Sequence, residues 1–258
     1  MVRYRFLFTQ LVRRELRQKY KGSALGLLWY VVNPLVLMGA YTLMFGFVLK
    51  VQHIPDYPLF LMIGLVVWTF FQQSLTAAAD SLIIQGALIR KARFPRETIP
   101  AATVTVQLVT LVVVLFLVGC VAIPIRGTFT AWLLLVPVLL VLLTVFVLGC
   151  ALIVAALHAY FRDIGPVLTA ALLPWFFLTP IFFRTRTIHY VQVHPIVGTL
   201  LNWVNPMAPF MEAVRTIMYD GSGPGLGRVA YAACAAIVSL ALGTALFRRL
   251  DGELAVVL

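Results

Sequence analysis

Apolar residues along this chain come in long blocks separated by short polar ones. Charge-free stretches of about twenty residues recur, the length that crosses a hydrocarbon layer of ~30 Å at ~1.5 Å per residue. The pattern predicts spans over 30–49, 59–84, 99–123, 132–157, 166–183 and 229–247. The chain therefore reads as an all-α integral membrane protein of about six transmembrane helices, in a single domain over 1–258.

Two segments depart from that pattern. Over 5–21, Leu7, Phe8, Leu11, Val12, Leu16 and Tyr20 share one helical face, while Gln10, Arg13, Arg14, Arg17, Gln18 and Lys21 share the other. This predicts an amphipathic interfacial helix within 1–28, its apolar face in the headgroup boundary and its arginines on lipid phosphates; a solvated helix with a core stripe is the alternative. The second departure is 184–228, which follows spans one to five (29–183) and precedes the last span and tail (229–258). It holds two apolar pieces, 195–204 and 208–219, each too short to cross and separated by Pro206 and Pro209. Two short re-entrant or surface helices forming a lid are expected there, the alternative being a plain apolar loop.

Composition adds an exclusion. With 62% hydrophobic and 11% charged residues, the chain lies outside the range of soluble globular domains, whose apolar share is ~45–50%. A formal charge of +11, from 20 Lys and Arg against 9 acids, suggests nucleic acid in a soluble protein. Here the cations fall between spans, where lipid headgroups and the positive-inside bias explain them, so no nucleic acid partner is expected. Seven precede the first span, four lie in 85–98, one in 158–165 and two after the last span; of the other six, four lie in 184–228. That distribution favours both termini on the cytoplasmic side of the membrane. Trp29, Tyr30, Tyr57, Trp132, Tyr190 and Trp203 fall near span ends, where amphipathic rings prefer the interface.

Candidate chemistry is sparse. Cys120, Cys150 and Cys234 each sit in an apolar run and read as small core residues. His53, His158, His189 and His194 form no cluster with the acids at ligand or acid–base spacing, so no catalytic residue, metal or cofactor is expected in this chain. The glycine-rich stretch 221–227 lacks the Lys-Ser/Thr end of a phosphate-binding loop and reads as a turn into the last span. Any ATP and Mg would belong to another chain. Asp80 is the one acid well inside a predicted span; facing a partner helix or pore mouth is favoured over a proton relay, and Gln72 and Gln73 can share that interior. The basic loop 85–98, with Arg90, Lys91, Arg93, Phe94-Pro95, Arg96 and Glu97, has the shape of a piece pressed into a soluble partner, although a solvated loop would look the same. Arg162 and Asp163 follow the fourth span as a charge pair or a simple cap.

Four of these segments together resemble the polysaccharide-exporting ABC permeases of the ABC-2 type, the Wzm and TagG group. They are K-Y-K-G-S-A-L-G-L-L-W from Lys19 to Trp29 followed by Asn33-Pro34, L-I-R-K-A-R-F-P-R-E from Leu88 to Glu97, Tyr160-Phe161-Arg162-Asp163, and the segment from Asn205-Pro206-Met207 to Arg215. The resemblance covers the chain in order. It implies a homodimer working with two copies of a separate ATPase subunit to export a lipid-linked polysaccharide such as an O-antigen or teichoic acid. It further implies ATPase coupling through Arg13, Arg14, Arg17, Arg90, Lys91, Arg93, Phe94, Arg96, Glu97, Arg162 and Asp163, and an outer gate containing Trp203, Asn205, Pro206, Phe210 and Arg215. A channel lined by aromatic rings would draw on Tyr41, Phe45, Trp68, Phe70, Phe71, Trp175, Phe176 and Phe177, since a flat π-face can pack on the C–H face of a sugar without fixing it. An exporter of a small lipid or drug, an intramembrane enzyme of polyprenyl-phosphate metabolism and a secondary transporter using Asp80 are the rival readings.

Overall fold

The computed structural model describes residues 5–20, 28–48, 54–91, 94–185 and 189–252. Arg93, Lys21 and most of the Lys19–Trp29 motif lie outside them. All described regular structure is helical. Helix α1 spans Arg5–Tyr20, α2 Trp29–Tyr41, α3 Tyr57–Ile84, α4 Gly86–Lys91, α5 Thr98–Arg126, α6 Val136–Tyr160 and α7 Ile164–Leu178. They are followed by α8 (His189–Val193), α9 (Pro195–Thr199), α10 (Met207–Met218) and α11 (Leu226–Asp251). Helix α2 runs on through wider turns over Thr42–Val48, so Val31–Val48 is one helical stretch long and apolar enough to cross.

Among the described residues, five helical stretches are long and apolar enough to cross a membrane, and α7 is an apolar helix of 15 residues. The expected fifth span, 166–183, is thereby shortened. At ~1.5 Å per residue α7 is roughly 22 Å long, and the chain leaves it through Thr179-Pro180 into irregular structure. Pro180 has no amide hydrogen to continue the ladder.

Helix α3 is the centre of the molecule. Eighteen of its residues are buried, including Phe60, Ile63, Val67, Trp68 and Phe71, because α2, α5, α6, α7 and α10 all pack on it. The tightest helix pair is α6 with α11. A Cβ on Gly149 would lie 2.3 Å from the Ser239 carbonyl oxygen, and one on Gly243 would lie 2.3 Å from that of Gly149, so the backbones touch where side chains would otherwise stand. Ser239 donates to the Phe146 carbonyl at 2.8 Å across the same contact. Gly149→Ala should therefore cost about 1–3 kcal/mol through overpacking, read as a lower thermal midpoint in detergent, whereas Gly39→Ala, which meets nothing within 4 Å, should leave the midpoint in place. Cys120 and Cys234 are exposed on the apolar periphery and only Cys150 is partly covered, which corrects the expectation of three core cysteines.

The ends of the molecule differ. One end carries α1, α4, the α6–α7 turn and the last turn of α11, and is called the basic end below. Here Arg96 pairs with Asp251 at 3.3 Å, Arg248 with Glu97 at 3.0 Å, and the Tyr160 hydroxyl donates to the Leu250 carbonyl at 2.7 Å. At the opposite end Arg126 pairs with Asp56 at 2.9 Å and Arg184 with Asp220 at 2.6 Å. Helices of 28 and 29 residues exceed the ~20 needed to cross. Counting ~20 residues from Tyr57 along α3 ends near Ala77, and ~20 back from Arg126 along α5 ends near Gln107. On that count Asp80 falls past the ~20 residues needed to cross, toward the basic end of α3.

The amphipathic reading of α1 holds, but its apolar face meets protein where headgroups were expected. Leu11 is 4% exposed in a cluster with Leu82, Ile89, Ile99, Ala102 and Phe247, with Leu7, Phe8, Val12 and Phe94 against it. Glu15 accepts from the Thr103 hydroxyl at 3.0 Å and Lys19 donates to Gln107 at 2.7 Å, so α1 climbs alongside the first turns of α5.

Candidate functional site

The aromatic candidates converge. Tyr41 and Phe45 of α2, Trp68 and Phe71 of α3, and Trp175, Phe176 and Phe177 of α7 join one continuous ring cluster. Phe182, which the sequence reading passed over, is its hub, lying 5.0 Å from Tyr41, 4.6 Å from Phe45 and 5.0 Å from Phe176 by ring centroids. The rings are not equivalent. Trp68, Phe70 and Phe71 are buried inside the subunit, while Phe177 is 48% exposed and Tyr41, Phe45 and Trp175 are half-buried. Phe70 stands apart from the cluster and lines a separate cavity.

That cavity, of about 650 Å³, lies between α2, α3 and α5 and reaches Lys19 and Asp80. Thr69, Gln73, Thr76, Gln107 and Thr110 give it polar walls. Helices rarely carry so many amides and hydroxyls on facing sides without hydration or a polar guest. Burial pulls the Lys19 amine from its ordinary 10.5 down to about 8, against the opposing pull of Glu15, whose own carboxyl burial pushes up. Between about 8 and 10.5 the unfolded chain holds a proton that docked α1 has released, so α1 docking strengthens as pH rises through that window. Glu15 acts in the opposite sense, disfavouring docking once it ionises above the acid range. Carbon NMR of dimethylated Lys19 should titrate near 8; a midpoint at the ordinary lysine value would contradict this placement of α1.

Asp80 meets His158 of α6 at 3.3 Å, a pair that residue spacing did not reveal. His158 Nδ1 accepts from the Gly165 amide at 3.1 Å, which leaves Nε2 to carry the ring proton toward Asp80. The neutral tautomer so held ties α3 and α6 to the first turn of α7.

The other end of α7 is tied as firmly. Trp175 Nε1 donates to Asn205 Oδ1 at 2.9 Å, Asn205 Nδ2 donates to the Thr179 hydroxyl at 2.8 Å, and the Met207 amide donates to Asn205 Oδ1 at 3.1 Å. One side chain thereby satisfies an orphan amide at the start of α10 and clasps the end of α7. Helix α10 is inserted rather than laid on the surface. Phe210 is fully covered, and Arg215 is 1% exposed, donating to the Pro180 and Ile181 carbonyls at 2.8 and 3.1 Å and pairing with Glu212 at 2.8 Å. Its guanidinium stands 3.8 Å from the Phe60 ring centre, in space that exists because Gly64 has no side chain. Pro206 precedes α10 half-buried, and Trp203 remains 43% exposed.

At the basic end the coupling candidates divide. Arg13, Arg14, Arg17, Arg90, Lys91, Arg162 and Asp163 are exposed, the first three around a shallow groove with Gln10 and Gln18. Phe94 is half-buried against the α1 cluster, and Arg96 and Glu97 are bound to α11. The latter three hold the subunit together and present little free surface.

Residues 7–219 match the family model described as ABC-2 type transporter. The chain is 31% identical over 256 residues to an O-antigen export system permease protein RfbA of Myxococcus xanthus, covering 99% of this chain and 96% of that protein. An O-antigen export system permease protein RfbA of Klebsiella pneumoniae is 30% identical over 213 residues, covering 77% and 80% of the two chains. A multi-pass helical bundle with a docked amphipathic helix, a ring cluster and an inserted short-helix segment, matched over most of its length, makes this chain a member of the ABC-2 type transporter family.

Proposed function

We propose that this protein is the transmembrane subunit of an ABC exporter that carries a lipid-linked polysaccharide, of the O-antigen or teichoic acid kind, across the bacterial inner membrane. The observation that carries the reading is the end-to-end relation to permeases named for O-antigen export. The basic end faces the cytoplasm, in keeping with its excess of Lys and Arg over the opposite end. Two copies form a homodimer, and two copies of an ATPase subunit, which supplies ATP and Mg, dock on the arginine groove of α1 and on the surfaces around Arg90, Lys91 and Arg162.

The channel runs along the faces of α2 and α7 left uncovered in the single subunit. Tyr41, Phe45, Trp175 and Phe177 then meet the sugar chain, while Trp68 and Phe71 back them from the core. Rings suit a moving glycan because a flat π-face packs on the C–H face of a sugar without a fixed hydrogen-bond partner. The diphosphate of the lipid carrier enters the polar cavity beside Lys19, whose amine is the nearest cation on its wall. Helix α7, pinned at His158 and at Asn205, holds its rings in place along that channel.

Deleting the gene should abolish the surface polysaccharide and leave its lipid-linked form inside the cell, with both restored by the wild-type chain. An unaltered surface polysaccharide in the deletion strain would overturn the reading.

A further inference from the structure

At the end opposite α1, a cleft of about 750 Å³ opens between α10, the segment that follows α7 and the glycine-rich turn into α11. It is walled largely by polar side chains, unlike the apolar groove of about 530 Å³ between α5 and α6. Beside Arg184, four planar hydrogen-bonding groups line it, and each of the four has one edge already anchored. Asn202 accepts the Thr185 hydroxyl at 2.9 Å, Glu212 holds Arg215 at 2.8 Å, Asp220 holds Arg184 at 2.6 Å, and Arg228 donates to the Thr216 hydroxyl at 3.3 Å. Anchoring one edge fixes the plane of each group and leaves its second edge available. Trp203 lines the same cleft while 43% exposed, and its orientation is set by an edge contact with Tyr231 at 5.7 Å.

One wall is the glycine-rich turn. Gly221 and Gly225 have φ of +67° and +77°, a conformation that side-chain-bearing residues rarely adopt. The turn they allow carries Asp220, Ser222 and Pro224 along the cleft wall where the chain passes from α10 to α11.

We infer that this cleft is a sugar-binding subsite that takes pyranose units of the exported glycan, with a preference for acidic sugars; the inference rests on the glycan-export reading above. An indole face covers the C–H face of a pyranose, and planar amide, carboxylate and guanidinium edges match pairs of neighbouring hydroxyls. A lipid tail or apolar drug would leave those edges without partners, which is costly. The charge balance gives the acidic preference. Glu212 and Asp220 are matched by Arg215 and Arg184, whereas Arg228 bonds a neutral hydroxyl, so its guanidinium adds a positive charge suited to a bidentate carboxylate. The subsite would hold the chain where it leaves the short-helix segment and oppose its return.

Saturation-transfer NMR on the full chain in lipid nanodiscs tests this with an acidic probe, a short oligogalacturonate, and a neutral one, maltohexaose. The oligogalacturonate should bind several-fold more tightly than maltohexaose. Trp203→Ala and Arg228→Gln should each weaken it roughly tenfold, the scale of one lost stacking or charged contact, while Trp203→Phe retains it. Gel filtration and thermal midpoint confirm that each variant is folded. No oligogalacturonate binding by wild type, equal binding by Trp203→Ala, or equal affinity for the two probes overturns the inference. Failure of the functional reading shows separately, as an unchanged surface polysaccharide in the deletion strain.

Discussion

Arg215→Met should destabilise the protein by about 3–5 kcal/mol, the scale for breaking a buried ion pair from one side. The substitution removes the hydrogen bonds to the Pro180 and Ile181 carbonyls and the stacking on Phe60, and leaves Glu212, itself mostly covered, without its cation. These contacts are what fasten α10 to the break after α7. Loss should therefore appear as early proteolysis between Thr179 and Leu226 together with a lowered thermal midpoint in detergent. Arg215→Lys should recover little, because a single ammonium cannot reach both carbonyls and the carboxylate in one plane. Gly64→Ala should act in the same direction, since its Cβ would stand 2.3 Å from Arg215 Nη2. A wild-type midpoint in Arg215→Met would show that α10 is not held in this way.

Replacing Arg13, Arg14 and Arg17 together by alanine should reduce ATP-driven export by more than about tenfold while leaving the thermal midpoint nearly unchanged. All three are exposed, and surface substitutions of this kind shift stability by only about ±0.5 kcal/mol. Their loss removes three cations facing the proposed ATPase and none from the core. Arg96→Ala should behave differently, lowering stability as well as export, because Arg96 ties the loop before α5 to Asp251 of α11. The contrast separates a docking surface from an internal staple. Comparable export by the triple variant would remove α1 from the proposed contact.

The long spans were legible because each hydrophobic run exceeds what a soluble helix would carry, and the basic segments between them could be read by the same rule. Where polar side chains close the structure, the pattern was silent. Asp80 and His158 are far apart in sequence, and nothing in either neighbourhood marks them as partners until α3 and α6 are packed. Asn205 was legible as a residue before a short helix, but not as the clasp on Trp175 and Thr179. The ring candidates were chosen for being aromatic in spans, a criterion that cannot separate the buried Trp68 and Phe71 from the partly open Tyr41 and Phe177. It also omitted Phe182, which lies at the very end of the expected fifth span. The amphipathic face of α1 was read correctly, yet amphipathicity alone does not say whether protein or headgroups cover it; Leu11 against Ile99 and Lys19 on Gln107 decide for protein. Glycine contacts such as Gly149 with Gly243 depend on two helices meeting at one point, which no single-helix pattern encodes.

The central claim is most directly tested by reconstituting the protein with its ATPase subunit in liposomes and measuring movement of a labelled polyprenyl-diphosphate glycan to the far side. The account predicts translocation that requires ATP and Mg, persists without a proton gradient, and is lost in a variant carrying Arg13→Ala, Arg14→Ala and Arg17→Ala. Translocation driven by a proton gradient without ATP, or ATP-driven movement of a small lipid with the glycan left behind, would contradict it.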